Sequence, residues 1–86
     1  MRKQALFGAS KIGMQTEELV RLAKKVRNSM PNVETFSLAT IYRTINEHEK
    51  VSLNVAEFKE FIYHLTGWNI SSRIIRRQLE INQIVL

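Results

Sequence analysis

The stretch Ile70-Ser71-Ser72-Arg73-Ile74-Ile75-Arg76-Arg77-Gln78-Leu79-Glu80 has the pattern of a short helix with a hydroxyl at its start and arginines gathered on one side. Ser71 or Ser72 can accept a hydrogen bond from the first free backbone amides, which marks a helix start. At about 100° per residue, Arg73, Arg76 and Arg77 fall within about 100° of one another, and Ile74, Ile75, Leu79 and Ile81 are predicted to point away from them. Gln78 and Asn82 interrupt the apolar arc, and Glu80 lies among the arginines. A charged face opposite an apolar one is also the ordinary make-up of a surface helix. The choice of arginine shifts the reading, because a planar fork of donors suits phosphate oxygens or guanine O6 and N7.

The residues just upstream read as a second helix. Asn54, with Glu57 three positions on, has the spacing of a capping box. Phe58, Phe61, Ile62 and Leu65 follow at helical spacing, and Gly67 is placed to end the helix in a left-handed turn. Thr66-Gly67-Trp68-Asn69-Ile70 then joins the two helices. Trp68, the only tryptophan of the chain, is expected to pack beneath the last helix; the alternative is an exposed ring that anchors a partner or stacks on a base.

Further out, Thr16 followed by Glu17 and Glu18 suits a helix start, since both a hydroxyl cap and early carboxylates match the positive end of the helix dipole. Leu19, Leu22, Ala23, Val26 and Met30 recur every three or four residues, the clearest amphipathic pattern in the chain. Arg21, Lys24, Lys25 and Arg27 lie outside that stripe, as solvated cations or as phosphate contacts. Pro31 ends the segment, because proline cannot continue the hydrogen-bond ladder. A further helix is predicted to begin near Thr35 or Ser37, with Leu38, Ile41, Tyr42 and Ile45 inward and Glu47 to Lys50 as its exposed end. Val51-Ser52-Leu53 reads as a connector or a brief strand.

These elements sum to an all-α fold, a small bundle of about four helices. Residues 16–86 are expected to form one domain, preceded by a flexible basic arm over residues 1–15 that holds Arg2, Lys3 and Lys11. With 86 residues the chain has material for one core. One proline and three glycines leave little for a turn-rich β fold. The net charge of +5 is uneven: residues 1–30 carry seven basic and two acidic side chains, residues 31–60 three and five, residues 61–86 three and one. Basic ends of this kind favour polyanionic partners. No apolar run approaches the ~20 residues of a membrane span, so a soluble, cytoplasmic protein without membrane contact is expected.

Between Glu57 and Leu79 the order of helix, glycine-containing turn and serine-capped basic helix resembles the helix-turn-helix of DNA-binding regulators, winged relatives included. In that family the second helix enters the major groove and its early residues meet base edges. The resemblance implies DNA contacts from Ser71, Ser72, Arg73, Arg76 and Arg77, with added phosphate affinity from Arg21, Lys24, Lys25 and Arg27. It also implies transcription regulation; a dimer on adjacent half-sites is expected because one module this small rarely buries enough surface for tight specific binding. Tyr63 departs from the pattern, standing where many such units carry alanine or glycine.

Catalysis is not expected. His48 sits between Glu47 and Glu49, whose side chains diverge on a helix, and His64 has no second histidine three or four residues away. Cysteine is absent, so no thiolate metal site is available, and neither metal nor cofactor is expected. The competing function is a helical protein-interaction module, an adaptor, inhibitor or self-assembling domain, using the apolar end Ile81, Ile84, Val85 and Leu86. RNA binding through the same basic faces is a third reading, without the aromatic strand signatures of common RNA modules.

Overall fold

The computed structural model describes residues 14–84. Four α-helices follow one another among them: α1 (Thr16–Ser29), α2 (Leu38–Thr44), α3 (Val55–Thr66) and α4 (Ser72–Ile81). A 3₁₀ turn at Val33–Thr35 precedes α2, and a π turn at Ile45–Glu49 prolongs it. The expected all-α bundle is present, and Val51-Ser52-Leu53 is a connector rather than a strand.

The helix starts follow local chemistry. In α3, Asn54 Oδ1 accepts from the Glu57 amide and Glu57 Oε1 accepts from the Asn54 amide, each at 2.8 Å, so the capping box forms as its spacing predicts. The second carboxylate oxygen of Glu57 accepts from the Met14 backbone N–H, which ties the approach to α1 onto α3. Gln15, one residue earlier than expected, is the cap of α1, and its N–H donates to Glu18 at 2.9 Å. Met14 is half-buried against the core. The remainder of the expected arm, residues 1–13, lies outside the described residues.

α3 is the central element, packing against α1 on one side and α4 on another. Its stripe of Val55, Phe58, Phe61, Ile62 and Leu65 is buried throughout, and Leu19, Leu22, Ala23 and Val26 of α1 face it in the same core. Tyr42 meets the ring of Phe58 edge to face, with centroids 5.1 Å apart. Its hydroxyl donates to the buried Leu53 carbonyl at 2.8 Å, fixing the connector that the sequence left ambiguous. Tyr42→Phe strands that carbonyl without emptying the core, so it is expected to cost about 1–3 kcal/mol in urea denaturation.

The helix over residues 72–81 differs from its sequence reading in one respect. Ile75 and Leu79 are fully buried, whereas Ile74 is 50% and Ile81 is 64% exposed. The cause is geometric: α4 rests on α2 and α3 along a single stripe, and at about 100° per residue Ile74 and Ile81 fall on the far side of it. The helix stops at Ile81, Gln83 turns left-handed at φ 64°, and Ile84 folds back half-buried against the core. Val85 and Leu86 lie outside the described residues.

Candidate nucleic-acid interface

α4 is held at both ends by cations that the sequence pattern does not single out. Ahead of it, the Lys59 ammonium donates to the Ile70 carbonyl at 2.7 Å and to Asn69 Oδ1 at 3.0 Å. Behind it, Arg43 Nη2 donates to the Asn82 carbonyl at 2.7 Å. The Ser71 hydroxyl caps the helix by accepting from the Ile74 amide at 3.3 Å. Lys59 and Arg43 act as clamps whose partners stand eleven and thirty-nine residues away, a distance no periodicity encodes. Lys59→Met is expected to lower the thermal unfolding temperature, with a loss of about 1 kcal/mol from the turn contacts.

On the helix so fixed, Arg73, Arg76 and Arg77 are all exposed, and together with Ser72 and Glu80 they line one shallow depression. Among the described residues the ion pairs are Lys25 with Glu49 and Glu60 with His64, so no carboxylate lies within 4.0 Å of these guanidinium groups. Glu80 shares the depression without closing an ion pair. Ser72 is half-buried, and Ser71 spends its hydroxyl on the cap.

The cations of α1 stand apart from this cluster. α1 packs principally on α3, while α4 is seated on α3 and α2. Arg21, Lys24 and Arg27 are exposed. The Lys25 ammonium is 2.9 Å from Glu49 on the π turn, a pairing that only the folded chain brings about. Lys25 is open to solvent while the Glu49 side chain is largely covered, so the pairing holds the lysine over the π turn.

The turn between α3 and α4 presents aromatics outward. Gly67 adopts φ 86°, the left-handed cap expected of it, and its N–H donates to the Tyr63 carbonyl at 2.8 Å. Trp68 is not a core plug: it is 40% exposed. The core beneath the turn is already filled by Leu65, Ile75 and Leu79, which are fully buried, and the turn carries Trp68 past them. Tyr63 is 54% exposed, so its bulk points to solvent and does not hold α3 and α4 apart.

His64 and Glu60 form a pair on α3 at 3.3 Å. Hydrogen bonds from the Thr16 hydroxyl, chiefly, and from the His64 ring hold the Glu60 carboxyl below the ordinary carboxylate range. A carboxyl held low in the folded state favours folding above its unfolded value and loses that contribution as pH falls through the folded value. Glu60→Gln is therefore expected to lower stability slightly at neutral pH, to leave it almost unchanged well below the ordinary value of 4.5, and so to flatten the acid limb between, as read by thermal melts across pH.

No protein-family model, curated protein or solved structure matches the chain.

Proposed function

We propose that the protein is a DNA-binding regulator that lays α4 in the major groove of duplex DNA, as the helix-turn-helix resemblance implies. The observation that carries this reading is the state of Arg73, Arg76 and Arg77: three exposed arginines with no carboxylate of the described residues within ion-pair distance, on a helix clamped at both ends. A rigid support means that little order has to be imposed when the groove is met. Arg73 and Arg77 lie on the side opposite the buried Ile75 and Leu79, and Arg76 flanks them toward α3. Arg21, Lys24 and Arg27 add phosphate affinity through the general field, and two copies on adjacent half-sites supply the surface that one small module lacks. A role of this kind belongs to the compartment that holds the DNA, the cytoplasm in a cell without a nucleus.

Among the described residues no helix is long and apolar enough to cross a membrane. A second reading, a protein-interaction module, draws support from Ile74 and Ile81, seven residues apart on the outward side of α4. Ile84 is withdrawn from that patch because it packs against the core.

A titration of labelled random-sequence duplex at several salt concentrations separates the two. Phosphate contacts make log affinity fall linearly with log salt, by about 0.9 for each phosphate neutralised. Binding with such a slope is the expected result. Absence of binding at low salt, together with self-association that Ile74→Ser and Ile81→Ser abolish in sedimentation, would establish the interaction module instead.

A further inference from the structure

We propose that Trp68 is a second contact residue of this interface, its indole N–H donating to a phosphodiester oxygen of duplex DNA at the edge of the groove that α4 enters. The assignment rests on the DNA-binding reading of α4 and extends it to the turn that precedes the helix. A lone tryptophan in a domain this small is normally covered, because it removes more apolar surface from water than any other side chain. Here the ring is 40% exposed, and the turn that carries it is firmly held.

Four hydrogen bonds fix that turn. The Gly67 amide donates to Tyr63 at 2.8 Å and the Trp68 amide to Thr66 Oγ1 at 3.0 Å. The Lys59 ammonium holds Asn69 and Ile70 on the other side. Among the described residues the hydrogen bond of Trp68 comes from its backbone, and its indole N–H has no acceptor there. Because the backbone that carries the ring is already held, little main-chain freedom is lost on binding.

Position and charge select the acceptor. Trp68 stands three residues before Ser71, the cap of α4, and so at the end of the helix where Ser72 and Arg73 begin the arginine cluster. That end carries the positive pole of the helix dipole as well as the guanidinium charge, and both favour an anionic oxygen over a neutral base edge. A residue on the turn lies outside the helix that occupies the groove floor, the place from which backbone contacts set register.

The experiment uses the whole chain and a labelled random-sequence duplex, following anisotropy and tryptophan emission in one titration. Because Trp68 is the only tryptophan, all indole emission reports this site. Emission is expected to change and saturate over the same duplex concentrations as anisotropy. Trp68→Phe, which keeps an aromatic ring but lacks the donor, is expected to bind about tenfold more weakly with an unchanged circular dichroism melt. Rising anisotropy with constant emission overturns the assignment and leaves the α4 reading standing. So does a folded Trp68→Phe chain that binds as tightly as the native one, even if emission changes. Absence of any anisotropy rise with the native chain removes the α4 reading itself, and the Trp68 contact falls with it.

Discussion

Replacing Arg73, Arg76 and Arg77 together by alanine is expected to weaken duplex binding by about two orders of magnitude or more, since each arginine that meets a base edge contributes about 1–3 kcal/mol. All three side chains are exposed and none is ion-paired among the described residues, so the substitutions remove charge without opening the core. Circular dichroism should therefore report a folded chain. Alanine also favours the helix, which removes loss of α4 itself as an explanation. The salt dependence supplies an independent reading, because each lost phosphate contact should reduce the slope by about 0.9. Replacing Arg21, Lys24 and Arg27 instead should weaken binding far less, since α1 is not an immediate partner of α4. Equal losses from the two sets would mean that the interaction is a diffuse attraction of a basic surface, with no reading helix.

The second large effect concerns the core. Phe58→Ala is expected to lower stability by about 3–5 kcal/mol, the usual cost of emptying a buried aromatic site. Phe58 is fully buried on the central helix, meets Tyr42 edge to face and lies 6.2 Å from the ring of Phe61. The neighbouring helices are held to α3 from several sides and cannot collapse freely into the space. For a domain of this size each kcal/mol lowers the melting temperature by about 4–8 °C, so a drop of roughly 12–40 °C follows. Since α4 sits on the same core, its arginine face is expected to be lost in the same transition, and duplex binding and helical signal should melt together. A separate, earlier loss of binding would show that α4 detaches before the core unfolds.

Much of this architecture follows from local rules that need no knowledge of the fold. Asn54 and Glu57 cap α3, Gly67 ends it and Ser71 opens α4, because each depends only on residues within one turn of the chain. The buried stripes of α1 and α3 are equally local, for a helix with apolar residues every three or four positions has one face that must be covered. By contrast, the π turn at Ile45–Glu49 leaves no mark in the apolar spacing. The Tyr42 hydroxyl finds Leu53 only after the connector has folded back.

The sequence by itself determined that helices would form, where most of them start and stop, and that three arginines would share a side of the last one. Only the tertiary structure decided which of its apolar residues are covered, because that depends on how many neighbours α4 meets. With α2 and α3 beneath it along one stripe, Ile75 and Leu79 are buried while Ile74 and Ile81 face water. The fates of the cations were settled in the same way. Lys59, Arg43 and Lys25 are engaged by distant carbonyls and a carboxylate, whereas Arg73, Arg76 and Arg77 have no ion-paired carboxylate among the described residues. Spacing along a chain fixes angles around one helix axis, but the partner of a long charged side chain is set by which elements pack beside it.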